Sequence, residues 1–235
     1  MIVKTRGIVL RNTMYSENSI ITKMLTRELG LRTYIFPSIR KGKSPIRVSM
    51  IQPLSLVQMD VYEKSNSNIN RVKELKNEPS LINIQEDIIK KSIALFMTEM
   101  LNHCIQEADF DIALFDFVDS QIQLLENNQQ SGGLFPHYFL LGLAKYLGVD
   151  PQGKYSDSNK FFSLEEGQFV SNRGLNTLEP NSSLVISNIL NGKIEIKANR
   201  ELRQLCLKQL VRYFQIHVIK DKKIQSLEIL SELFD

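Results

Sequence analysis

Cysteine is scarce in this chain. The two present, Cys104 and Cys206, stand far apart and neither has a partner at CxxC spacing, so the chain by itself supplies no thiolate zinc site. Both fall on the apolar stripe of an expected helix, the pattern of buried, reduced, structural cysteine. Long apolar runs are also missing. None approaches the roughly 18 residues that a membrane span requires. Lys4 and Arg6 precede only a short apolar stretch, Ile8 to Leu10, which Arg11 then interrupts, and this is not the pattern of a secretory signal. A cytoplasmic protein with no membrane partner is expected.

Catalytic signatures are equally thin. Gly42-Lys43-Ser44 looks like the end of a phosphate loop, but Pro37 stands where that motif needs its first glycine and no helix is expected to follow. His103, His137 and His217 show no HExxH or comparable spacing. Glu86-Asp87, Glu165-Glu166 and the pair Asp109 and Asp111 have no visible partner for general acid–base work, and there is no GxSxG. No catalytic residue, metal ligand or cofactor is assigned.

What the first fifty residues lack is negative charge. They hold ten basic side chains against Glu17 and Glu28, a net +8, while the other 185 residues carry 19 basic and 24 acidic side chains, a net −5. The overall +3 conceals a strongly polar molecule. Such a field attracts a polyanion, and these cations sit among strand-forming residues, as a folded nucleic-acid face would have them. A solvated basic surface is the plainer alternative.

The apolar share of 43% is enough for a packed core. Residues 1–78 read as β, with runs at 3–14, 19–26, 31–39, 53–62 and 69–75 and turn signals at Tyr15-Ser16-Glu17-Asn18 and Leu29-Gly30. Five short strands in so few residues suggest a small closed barrel. The stretch 40–48, with four cations, Gly42 and Pro45, reads as a mobile loop. Near Glu78-Pro79 the apolar period lengthens: Ile89, Ile93, Phe96, Met100 and Cys104 line one face of a helix expected over 84–107. Further helices are expected at 109–127, 134–147, 182–191, 199–217 and 224–233. An insertion rich in Gly, Ser, Asn and Asp at 149–181 separates them. The class is α+β: a β-barrel domain at 1–78, then a mainly helical domain at 79–235.

Lys4, Arg6, Arg11, Lys23, Arg27 and Arg32 are the candidate phosphate contacts of the barrel, and Arg40, Lys41, Lys43 and Arg47 those of the loop. Tyr34 is a candidate base-stacking residue, with a place in the core as its alternative. Phe36 reads as core.

Taken together, Lys4-Thr5-Arg6-Gly7-Ile8-Val9-Leu10, Tyr15-Ser16-Glu17-Asn18-Ser19, Thr26-Arg27-Glu28-Leu29-Gly30 and Arg40-Lys41-Gly42-Lys43-Ser44 closely resemble the N-terminal pattern of the bacterial RecO family of DNA-repair recombination mediators. Phe139-Leu140-Leu141 through Tyr146-Leu147-Gly148-Val149-Asp150-Pro151 is similar to that family's helical domain, and Phe162 through Gly167 with Phe169 to its central insertion. The resemblance implies a five-stranded OB-fold barrel joined to a helical domain. It implies binding of single- and double-stranded DNA and annealing of complementary strands, at the nucleoid. It implies RecR and the acidic C-terminal tail of the single-strand DNA-binding protein as partners, RecA as an indirect one, and no catalysis. Some members carry a four-cysteine zinc site in the insertion; 149–178 here has no cysteine, and a zinc-less insertion is expected.

The tail of that partner, apolar and ending in a carboxylate, needs an apolar pocket rimmed by cations. The helix at 199–217 offers Arg200, Arg203, Lys208 and Arg212 beside Leu202, Leu205 and Leu210, a set that an ordinary amphipathic helix would also display. An RNA-binding OB module, an adaptor without annealing activity and an unrecognised nuclease are the rival classes.

Overall fold

The computed structural model describes residues 1–41, 45–63, 67–106, 111–127, 133–193 and 196–233. Strands β1 (Ile2–Ser16), β2 (Ser19–Thr26), β3 (Gly30–Phe36), β4 (Leu56–Tyr62) and β5 (Asn70–Asn77) close a barrel in the order β1-β2-β3-β5-β4. The pairings are antiparallel except β3 with β5, where Tyr34 meets Asn70 and Ile35 meets Arg71. This is the five-stranded OB-fold arrangement expected above.

Alternation fills the barrel. Val9, Met24, Tyr34, Phe36, Val57, Met59 and Val61 point inward, and Ile39, Ile46 and Ile51 complete the core from the connection between β3 and β4. Gly7 is crowded by β4: a Cβ there would stand 2.8 Å from the Met59 methyl and 3.2 Å from Val57. The third strand stops at Phe36, short of the expected 39, because Pro37 has no N–H to give the ladder and Ser38 turns to φ 54. The 40–48 connection is anchored on both sides of 42–44, which lie outside the described residues. Ile39 and Ile46 are buried, Arg40 N donates to Asn18 O and Arg40 Nη1 to Glu17 O.

By packing, the chain divides into Met1–Gln129 and Gln130–Asp235. The first unit joins to the barrel α1 (Ile82–Glu86), α2 (Ile88–Cys104) and α3 (Ile112–Asn127). The division proposed at 78/79 follows the change of apolar period; packing groups these three helices with the strands. One helix is expected from 84, but Asp87 splits it: its carboxylate accepts from Ile89 N and Lys90 N and caps α2. The α2 face of Ile93, Phe96, Met100 and Cys104 is buried, and Asn102 Nδ2 donates to Leu10 O, fixing α2 to the outside of β1.

The second unit holds α4 (Phe135–Tyr146), a small sheet of β6 (Phe161–Ser163), β7 (Gln168–Val170) and β8 (Thr177–Leu178) in the order β7-β6-β8, then α5 (Pro180–Leu190), α6 (Arg200–Phe214) and α7 (Ser226–Leu233). The sheet is built on Phe162, whose ring meets Phe169 edge-on at 5.1 Å and Tyr213 of α6 at 6.0 Å. Ser183 of α5 accepts from Phe162 N and donates to Leu178 O. Gly167, at φ 66, leaves room for the Tyr213 hydroxyl, which donates to Val149 O at 2.6 Å.

Candidate nucleic-acid interface

Two cationic rungs cross the β1–β2 hairpin on its outward side. At the first, Gly7 pairs with Thr26, which sets Arg6 opposite Arg27, and Arg27 N donates to Arg6 O at 3.0 Å. Two carboxylates of α3, at positions i and i+3 and so on one helix face, neutralise this rung. Arg6 Nη2 donates to both oxygens of Asp119 at 2.9 and 3.0 Å, with its guanidinium 5.7 Å from the centre of the Phe115 ring. Arg27 grips Asp116 side-on, Nε to Oδ1 at 2.8 Å and Nη2 to Oδ2 at 3.0 Å.

The second rung is Arg11 opposite Lys23. A register shift between Val9 and Arg11 turns Arg11 outward beside Lys23. Like charges directly opposite in an antiparallel ladder repel. Among the described residues no carboxylate pairs with either cation, so this rung has an unmet demand for anions. Thr13, Ile21, Thr33 and Ile35 are its cross-strand neighbours on the same surface. Arg40 is held at the hairpin turn and Arg47 is exposed. The side chain of Lys41 and all of Lys43 lie outside the described residues.

Other sequence candidates go elsewhere. Tyr34 is 0% exposed, so its ring is core and not a stacking face; burial also raises its hydroxyl pKa. Arg32 is paired with the inward Met24, hence of the same parity, and its Nε lies 3.4 Å from Glu63 Oε1. Glu63 also accepts from Asn70 Nδ2 at 3.0 Å. Arg32 therefore belongs to a half-buried polar group with Glu63 and Asn70, on the inward-facing side of β3. Lys4 stands opposite Asp60 and lines a groove of about 470 Å³ with Glu28, Glu74 and Lys76, a surface of mixed sign. Sequence reasoning missed Asp116 and Asp119, because nothing in their spacing says which strand their helix meets.

In the second unit, the seven residues expected to form one partner pocket separate. Leu210 is fully buried in the core, while Leu205 is 46% exposed and Leu202 half-buried. Arg212 is paired with Asp221. Lys208 lines a groove of about 480 Å³ with Val211, Ile224 and Leu227. Arg200 and Arg203 line a narrow cleft with Gly133, His137 and Leu207 instead. His137 Nε2 lies 2.8 Å from Arg203 O, and since a carbonyl only accepts, that nitrogen carries the proton. Burial lowers the pKa of this ring to about 4.

The model for "Recombination protein O N terminal" matches residues 1–78 and that for "Recombination protein O C terminal" matches 85–226. The chain belongs to the RecO family. It is 30% identical over 239 residues to the DNA repair protein RecO of Flavobacterium psychrophilum and 29% identical over 241 to that of Azobacteroides pseudotrichonymphae. It is 30% identical over 246 to that of Porphyromonas gingivalis W83. All three comparisons cover the whole of both chains.

A zinc centre of the kind found in some RecO-family insertions does not fit this chain. The insertion has no cysteine, and among the described residues no three His, Cys, Asp or Glu side chains are grouped to hold a metal. Phe162, Phe169, Tyr213 and Ser183 occupy its centre instead. Among the described residues no helix is long and apolar enough to cross a membrane.

Proposed function

We propose that this RecO-family protein is a non-catalytic recombination mediator that binds single- and double-stranded DNA and anneals complementary strands. In this reading it acts in the cytoplasm, at the nucleoid, with RecR and the single-strand DNA-binding protein to load RecA. The barrel, 1–78, is the DNA-binding domain and the helical domain, 79–235, the partner-binding one. The observation that carries the reading is the Arg11–Lys23 rung, two opposed cations on an OB-barrel face with no internal counter-ion among the described residues. Arg40, held at the turn of the same hairpin, extends it, and Lys41, Lys43 and the exposed Arg47 follow in sequence. Phosphate contacts of this kind position a strand without reading it.

Annealing requires that base edges stay free while repulsion between strands is removed. Of the barrel's aromatic side chains, Tyr15 and Tyr62 are exposed, and neither lies among the cross-strand neighbours of the Arg11–Lys23 rung. A phosphate-binding rung with no aromatic side chain among its immediate cross-strand neighbours suits that requirement. For the acidic tail of the single-strand DNA-binding protein, the cleft of Arg200, Arg203 and Leu207 has the chemistry to receive a carboxylate beside an apolar side chain.

The test is annealing of complementary oligonucleotides coated with the cognate single-strand DNA-binding protein, with and without its acidic tail. Annealing that depends on the tail supports both halves of the reading. Annealing without that dependence keeps the DNA activity and removes the tail site. Failure to anneal, or a preference for RNA of the same sequence, overturns it.

A further inference from the structure

We infer that Arg27 is a latent phosphate ligand, held in the free protein by Asp116 and exchanging that carboxylate for a backbone phosphate when nucleic acid binds, so that Asp116 sets the affinity of the barrel. The inference rests on the nucleic-acid reading above. It comes from comparing the two carboxylates of α3. Asp119 is 10% exposed, accepts a further hydrogen bond from Gln123 Nε2 at 3.0 Å, and holds an Arg6 that lies over Phe115. That pair is built into the packing of α3 and is not free to exchange.

The Arg27–Asp116 pair differs at its carboxylate. Both arginines are 35% exposed, but Asp116 is 47% exposed and has no hydrogen-bond partner but Arg27 among the described residues. A side-on guanidinium fork fits two oxygens of a phosphate as well as two of a carboxylate. Asp116, released, would stand in water, so exchange leaves no buried charge unpaired. Arg27 also continues the outward face of β2 from Lys23, four residues away and about 13 Å along an extended strand. Glu28, 3.7 Å from Arg27 Nη1, is a second exposed competitor with a looser grip.

The experiment measures binding of labelled oligothymidylate and of a labelled duplex to the full chain over a range of salt concentrations. The variants are Asp116→Asn, Arg27→Ala, the two combined, and Asp119→Asn, with a thermal melt for each. Asp116→Asn is expected to tighten binding about two- to fivefold, the scale of an exposed ion pair. Arg27→Ala is expected to weaken binding and to lower the salt slope by about 0.7 to 0.9, the amount for a single neutralised phosphate. In the combined variant the gain from Asp116→Asn disappears. Asp119→Asn lowers the melting temperature without tightening binding. Unchanged affinity in Asp116→Asn, or an unchanged salt slope in Arg27→Ala, overturns the inference while leaving DNA binding by the wild type intact. A wild type with no salt-sensitive binding overturns the reading of the barrel and this inference with it.

Discussion

Arg11 and Lys23 face each other across the β1–β2 ladder, and no carboxylate among the described residues comes between them. Opposed cations cost stability in the free protein and gain affinity for a polyanion, so one substitution should move the two properties in opposite directions. Lys23→Glu converts the repulsion into a cross-strand ion pair. It is expected to stabilise the free protein by about 0.2–1 kcal/mol. The same change should weaken DNA binding and lower the salt slope by at least about 0.7, because at least one phosphate is no longer neutralised. Urea denaturation and salt-dependent binding on one preparation check both. A variant that destabilises the fold and leaves the salt slope unchanged would remove this rung from the interface.

Tyr34 separates packing from binding. Its ring is buried in the barrel and its hydroxyl has no hydrogen-bond partner among the described residues. Tyr34→Phe keeps the packing and removes a buried polar group, so stability should hold or rise by about 1 kcal/mol. Affinity for DNA should not change. Tyr34→Ala should cost about 3–5 kcal/mol through the cavity it leaves. Lost affinity in a well-folded Tyr34→Phe protein would return this residue to the binding surface.

Tyr34 and Arg32 also show where sequence reading stops. The period of the apolar pattern changes from two to 3.6 near Glu78-Pro79, and strands and helices start and stop within a few residues of where that pattern places them. Alternation groups Tyr34 with Arg32 on one side of β3, as the structure has them, but it does not say which side faces inward. That is decided by barrel closure and by β5 lying next to β3. Alternation likewise puts Lys4 and Arg6 on one face; only tertiary packing reveals that Asp119 and Phe115 occupy the Arg6 end of it. Of the cations legible as a DNA face, Arg6 and Arg27 take the α3 carboxylates, and among the described residues Arg11 and Lys23 have no carboxylate partner.

The insertion should depend on its aromatic centre and not on metal. Phe162→Ala removes the ring that Phe169 and Tyr213 both contact and is expected to cost about 3–5 kcal/mol. Ser183→Ala leaves Phe162 N without its buried acceptor, at about 1–3 kcal/mol. Dialysis against a chelator should leave the melting temperature unchanged. A fall in melting temperature on chelation, restored by zinc, would show that metal supports the fold.

His137 should make the second unit sensitive to acid. Its ring is 1% exposed, and its pKa is lowered from 6.5 to about 4, chiefly by burial, despite the hydrogen bond to Arg203 O. Between those two values the unfolded chain binds a proton that the folded chain does not, so stability rises with pH across this window. The contribution is fully present above about 6.5 and is lost as pH falls towards 4, by about 3 kcal/mol in all. His137→Gln places a non-titrating donor at the Arg203 carbonyl. Its urea midpoint should therefore fall less than that of the wild type between pH 7 and 4.5, with the carboxylates of the chain common to both. Equal falls in the two proteins would mean that the histidine is already charged or hydrated in the fold. In that case the cleft of Arg200 and Arg203 would border an imidazolium and not a neutral ring.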